Sequence, residues 1–287
     1  MKPLILSLKA IKEKDKNIVG LKAFRLSELL NRDLPVPKAF VLTTCAFDPF
    51  FEENNLLYLV ERLSTEDNKN ILEDICHELK RKIKIGKFPK GLEEKLKKEI
   101  LKNKFKTIAV RSSATAEDLA FASFAGQFES YLNIPKDKVF EFIRACWASL
   151  YEERVLSYTL YHQIPIYRIK MAVLIQEMIV AEKGGVIFTK DVLRDDERVI
   201  VIEATKGLGV GVVAGTTEPD RYTVEKTDLK TINQRLKGQK PVLEDEEIFE
   251  LASTGLLIEN FYKTPQDIEW ATKDGKIYLL QTRPITT

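Results

Sequence analysis

Cysteine is scarce in this 287-residue chain: Cys45, Cys76 and Cys146 lie far apart, form no CxxC pair and sit among apolar or helical residues. That spacing argues against a disulfide framework or a zinc clasp and reads as buried free thiols. An excess of one charge is also missing. The formal net charge is +2, with basic and acidic residues interspersed, so the composition points to no nucleic acid or other polyanionic partner. Long apolar runs are absent as well. The opening MKPLILSLKAIKEKDK has too short an apolar core for a secretory signal and no small-residue cleavage site. The stretch Met171 to Ala181 is interrupted by Gln176 and Glu177 and is too short to span a bilayer. The expectation is a protein of the reducing cytoplasm with no membrane partner. No G-x-x-x-x-G-K-[ST] loop occurs, which argues against a Walker-type NTPase. No internal repeat stands out.

What is present is a globular composition, 44% hydrophobic and 31% charged, in a chain long enough for one large domain or two moderate ones. Leu21 to Leu30 reads as a helix, and PVPKAFVLTTCAF as a turn and short strand. From about Asp48 to Phe105 the chain is predominantly helical. KTIAV is a β-rich run ending at Arg111. ESYLNI is a strand, Lys138 to Tyr161 one long amphipathic helix, and Lys170 to Val180 a buried strand. GGVIFTKD and RVIVIEA begin further strands, Glu246 to Tyr262 is a helix, and DIEWATKDGKIYLLQTR is a closing hairpin. Strands and helices mix without regular alternation, which favours α+β over a doubly wound sheet.

The hairpin carries chemistry. Strand side chains have period two, so Asp267, Glu269 and Ala271 share one face while Ile268 and Trp270 take the other. On the returning strand, Ile277, Leu279, Gln281 and Arg283 alternate with Tyr278, Leu280 and Thr282. A two-residue turn at Asp274-Gly275 pairs Glu269 with Leu280 and leaves Gln281 on the opposite face. A three-residue loop, Lys273 to Gly275, pairs Thr272 with Lys276 and Asp267 with Gln281. Only the second register gathers Asp267, Glu269, Gln281 and Arg283 on one face. That set combines oxygen ligands for Mg²⁺ with a guanidinium for phosphate; the alternative is a solvated polar face on an edge hairpin.

Arg111 ends an apolar strand ahead of SSATAEDLAFASFAGQFES, a small-residue loop in which Gly126 allows close backbone approach. Phosphate sites use this layout, although a surface loop with a structural arginine would look the same. Gly209-x-Gly211-x-x-Ala214 matches a loose dinucleotide fingerprint, but Gly215 and TTEPD follow at once and leave little room for the required helix. Lys22 lies in the first turn of a helix, where the macrodipole disfavours a cation. It either serves a ligand or is an exposed lysine tolerated at small cost.

In order, VGLKA, AVRSSATAED with ASFAGQ, LIQEM, GLGVGVVAG followed by EPD, and DIEW with LLQTRP resemble the nucleotide-binding domain shared by phosphoenolpyruvate synthase, pyruvate phosphate dikinase and rifampicin phosphotransferase. The resemblance covers nearly the whole chain. It implies an ATP-grasp fold, with lobes at 1–179 and 180–287 that close over ATP. By it Lys22 and Arg111 would contact the polyphosphate, and the loop at Gly126 and Ser130 would close over it. Gln176 would lie in the strand joining the lobes, where adenine is held partly by backbone groups. Glu269 and Gln281 would ligate Mg²⁺, Asp267 would support them, and Arg283 would neutralise charge on the transferred phosphoryl group. Lys22, Arg111 and Arg283 are thus the implied catalytic residues. VGLKA carries Leu21 where family members commonly have a second glycine. Family enzymes pass the phosphoryl group to a histidine on a swivelling domain, then often to pyruvate on a further domain, with AMP and phosphate released in the synthase-like case. His77 and His162, the chain's two histidines, lie in predicted helices without an acceptor motif and read as structural. The implied acceptor is therefore a phosphohistidine domain on another chain or a portion beyond Thr287. The alternatives are a rifampicin-phosphotransferase-like domain with another final acceptor, and a regulatory module that binds nucleotide without chemistry.

Overall fold

A computed structural model describes residues 2–115, 118–119, 122–123, 129–213 and 215–285, with backbone alone at 118–119, 122–123 and 213. The chain packs as two compact units, 1–27 with 38–178, and 28–37 with 179–287.

The first unit contains β1 (Ile5–Ser7), α1 (Lys16–Val19), the start of α2 (Leu21–Leu30), β2 (Ala39–Leu42), α3 (Phe47–Glu53), α4 (Leu57–Thr65), α5 (Lys69–Ile85), α6 (Lys90–Asn103) and β3 (Ile108–Ala114). β4 (Asp118–Leu119), β5 (Ala122–Ser123), β6 (Ser130–Ile134), α7 (Val139–Ser149), α8 (Glu153–Tyr161) and β7 (Met171–Glu177) follow. Its main sheet runs β1-β2-β7-β3-β6 and is antiparallel at every pairing, while β4 and β5 pair separately. The helices are placed by apolar spacing. In α5, Leu72, Ile75, Cys76, Leu79 and Ile83 are buried at helical intervals, and the Asn68 side chain caps the N-terminus by accepting from the Asn70 and Ile71 amides. One sheet face, with Phe40, Leu42, Ile108, Val110, Val173 and Ile175, joins the core around Trp147.

The predicted single helix from Lys138 to Tyr161 is two helices. Glu152 adopts extended backbone (φ −71°, ψ 146°) as the first cap of α8, and its carboxylate is held by Lys80 of α5 at 2.9 Å. Leu150 and Tyr151 in the break are buried, so their apolar side chains continue the helical sequence pattern across a bend it cannot register. Of the predicted buried thiols, Cys76 and Cys146 are buried, with the Cys76 thiol pushed up to about 12 by burial, whereas Cys45 is half-buried. His77 lies in α5, and His162 caps α8 with its ring against Tyr158.

The second unit holds β8 (Lys183–Phe188), β9 (Val199–Lys206), α9 (Val210–Val213), β10 (Asp220–Glu225), β11 (Thr231–Arg235), α10 (Asp245–Tyr262), β12 (Gln266–Lys273) and β13 (Lys276–Pro284). Its antiparallel sheet runs β11-β10-β9-β8-β12-β13. Residues 28–37 belong here: the Leu279 amide donates to Pro35 O at 2.8 Å, Tyr262 Oη donates to Glu28, and Arg32 stacks 3.3 Å from the Phe261 ring centroid. The glycine-rich run packs backbone against backbone, because a Cβ on Gly209 would lie 2.6 Å from the Gly185 nitrogen. Among the described residues the short α9 is the one helix from this run to β10, which begins at Asp220, and α9 is no dinucleotide-binding helix. Both units mix helices with antiparallel sheet, the α+β class expected. Among the described residues no helix is long and apolar enough to cross a membrane.

Candidate functional site

In the first unit the sheet face opposite the core carries Arg111, Gln176 and Ser130. Arg111 pairs with Leu174 and Ser130, and Gln176 pairs with Ala109 and Ala39. Directly opposed residues share a face, so these three side chains lie on one side. Arg111 and Gln176 are buried at 7% and 1% exposure, while Ser130 is exposed. The Gln176 amide nitrogen is buried with no hydrogen-bond partner among the described residues. Such an orphaned donor is costly unless a ligand satisfies it.

The start of α2 docks on the same strand. Lys22 Nζ donates to Ser112 O at 3.1 Å, and the Ala23 amide donates to Ser113 Oγ at 3.2 Å. Gly20 makes this approach possible. It sits at φ 74° and ψ 162°, and an added Cβ would lie 2.3 Å from Ser113 O. That backbone region is essentially confined to glycine. Gly20→Ala is expected to cost about 2–3 kcal/mol from strain and overpacking. Urea denaturation reads it, and a change below about 0.5 kcal/mol, the scale of an ordinary surface substitution, would contradict it. Gly126 lies outside the described residues.

The second unit corrects the expected hairpin turn. Lys273 pairs with Lys276, and Asp274 and Gly275 form a two-residue turn with φ of 52° and 67°, not the three-residue loop. Thr272 therefore faces Ile277, and Asp267 faces Arg283 rather than Gln281. The ladder then shifts: Trp270 pairs with Leu279 but Glu269 with Gln281, leaving Leu280 as a bulge. One extra residue reverses the alternation. Ile277 and Leu279 are buried with Ile268 and Trp270, and Gln281 and Arg283 move to the face of Asp267 and Glu269. The four residues are gathered, by a bulge instead of a longer loop.

On this face Arg283 donates to Asp267 Oδ2 from Nε at 2.8 Å and approaches it with Nη2 at 2.6 Å. Burial raises the Asp267 carboxyl, Arg283 opposes the rise, and the Glu269 charge adds to it. Glu203 was missed by the sequence reading. Through Val186 it lies in the same cross-strand row as Glu269, and its carboxyl is raised by burial and by Asp267, against Arg221. Both groups bind a proton more readily folded than unfolded. Their ionisation therefore costs stability as pH rises through the raised values, a cost absent below the ordinary carboxylate range. A hard cation on this face would offset that repulsion, and Glu269 opposite Gln281 supplies the oxygen donors Mg²⁺ takes. No group of three or more His, Cys, Asp or Glu among the described residues is arranged to hold a metal. Asp220, in EPD, is structural: it is buried and accepts from the Lys237 and Val242 amides and the Tyr222 hydroxyl.

Fold and side chains thus define an α+β protein with a guanidinium, Arg283, beside carboxylate and amide groups on one face of its closing hairpin. The chain belongs to the family described as pyruvate phosphate dikinase, AMP/ATP-binding domain, which matches residues 16–240 and 231–287. It is 37% identical, over 98% of its length, to a probable phosphoenolpyruvate synthase of Methanocaldococcus jannaschii, of which it covers 26%. It is 34% identical to an uncharacterized phosphotransferase of Bacillus subtilis over 96% of this chain and 34% of the relative. It is 32% identical to rifampicin phosphotransferase of Bacillus cereus over 100% of this chain and 36% of that protein. The chain therefore spans well under half the length of these relatives.

Proposed function

We propose that this chain is an ATP-grasp domain that binds ATP with Mg²⁺ and donates a phosphoryl group to a histidine on a separate domain or chain, with pyruvate the final acceptor. The observation that carries the reading is the bulged hairpin, whose one face offers Glu269 and Gln281 as oxygen donors beside Arg283, in a chain matched along its length to an AMP/ATP-binding family. Mg²⁺, when bound, screens polyphosphate charge. Glu269 and Gln281 hold it, and Asp267 supports them by fixing the Arg283 fork. Arg283 faces the charge that develops on the phosphoryl group in flight. Lys22 and Arg111 bind phosphate oxygens, with Gly126 and Ser130 closing over them, and Gln176 meets the adenine. Phosphoryl transfer depends on positioning and electrostatics more than on covalent chemistry from the protein, which suits a set with no nucleophile of its own. The assay is label transfer from radioactive ATP to a purified phosphohistidine domain of a phosphoenolpyruvate synthase. Magnesium-dependent labelling is expected. ATP binding with no transfer to any histidine domain would favour a regulatory module, and transfer only to a domain serving another acceptor would favour a rifampicin-phosphotransferase-like role.

A further inference from the structure

A second polar recess lies in the second unit, away from the hairpin. It has a volume of about 210 Å³ and is lined by Asp191, Leu193, Arg194, Arg221, Thr223, Asn233 and Arg235. Its floor comes from register: Arg221 opposes Arg235, and Thr223 opposes Asn233, so two guanidiniums, a hydroxyl and an amide share one face of β10 and β11. Its wall is the loop after β8. The buried Asp191 pins that loop, accepting from the Leu193 and Arg194 amides at 3.0 and 3.3 Å and from Arg221 Nη2 at 3.1 Å.

Three guanidiniums thus surround a recess whose lining holds a single carboxylate. Like charges directly opposed on neighbouring strands are destabilising, yet Arg221 and Arg235 stand opposed here. Arg221 is balanced by Asp191 and, at 3.5 Å, by Glu203. Arg235 has Glu218 at 3.1 Å, but those side chains are 80% and 62% exposed, and so exposed a pair holds little. Of the loop acids that follow Arg194, Asp195 pairs with Lys190 at 2.5 Å and Asp196 is committed to Arg198 through Nε and Nη2 at 2.9 and 2.8 Å.

We propose that this recess binds a phosphate group, as inorganic phosphate or the end of a phosphomonoester, through Arg194, Arg221 and Arg235 with Thr223 and Asn233 as further donors. Planar guanidiniums and neutral donors match the oxygens of a compact dianion. The site is separate from the hairpin: β12 and β10 are separated by β8 and β9, roughly 14 Å at a strand spacing of about 4.8 Å. It does not rest on the nucleotide reading.

The test is calorimetric titration of the full chain with inorganic phosphate and, separately, with phenyl phosphate, repeated on Arg194→Gln, Arg235→Gln and, as a control for net charge, Arg62→Gln, an exposed arginine of α4 in the first unit. Saturable millimolar binding is expected, weakened about tenfold by each substitution in the recess, unchanged in Arg62→Gln, with unfolding midpoints close to the parent. The tighter of the two ligands tells free phosphate from an ester. Three results would each overturn the proposal: no phosphate binding by the parent, parent affinity in the two recess variants, or an equal loss in Arg62→Gln, which would make the effect one of net charge alone.

Discussion

Arg283→Ala is expected to slow phosphoryl transfer from ATP by about 10³-fold, the scale on which a preoriented cation at a transferring phosphoryl group acts. The guanidinium is oriented in advance, because two of its nitrogens converge on Asp267 Oδ2 and the pair stands on the same face as Glu269 and Gln281. Its side chain is 38% exposed, so truncation opens no core cavity and the fold should persist. Asp267 would lose the guanidinium that opposes the effect of its burial, and its carboxyl would rise further. Arg283→Lys keeps the charge but loses the fork, so its rate should fall between parent and alanine variant. The transfer assay reads the rate and circular dichroism checks the fold. A rate within about threefold of the parent, well short of the effect of a transition-state contact, would remove Arg283 from the chemistry.

The largest stability effect belongs to the first unit. Trp147→Ala is expected to cost about 3–5 kcal/mol. Trp147 is fully buried, its ring lies against Phe47, Phe50 and Phe88 with centroids at 5.6, 4.9 and 5.7 Å, and its indole N–H donates to Met171 O at 3.1 Å. Truncation leaves a cavity and removes the donor at the start of β7, the strand that carries Gln176. Urea denaturation followed by far-ultraviolet dichroism measures the loss, and a change below about 1 kcal/mol would show that the aromatic cluster can close over the gap.

Where local pattern and tertiary context agree, the sequence was legible. α2 spans Leu21–Leu30 as its apolar spacing predicts, and α10 starts one residue from the expected position. β11 could not be read this way: TINQR is polar and largely exposed, so no alternation marks it, and the strand exists because β10 offers a partner. The break between α7 and α8 escaped because a long-range partner, Lys80, helps hold Glu152 out of the helix. The hairpin is the most instructive element. Period-two counting puts Leu279 and Gln281 on one face, whereas the bulge at Leu280 sends Leu279 into the core and Gln281 to the carboxylates. A bulge has no fixed residue signature, so the site's membership was readable while its register was not. Glu203 and Arg221 carried no signal in the sequence; cross-strand pairing puts them in one row with Glu269, Glu203 two strands and Arg221 three strands away.

Calorimetric titration of the chain with ATP, with and without Mg²⁺, tests nucleotide binding directly. The predicted result is saturable one-to-one binding that magnesium strengthens and Arg111→Ala abolishes, with no comparable affinity for a nicotinamide dinucleotide. Absence of ATP binding in both conditions, or preference for the dinucleotide, would contradict the account.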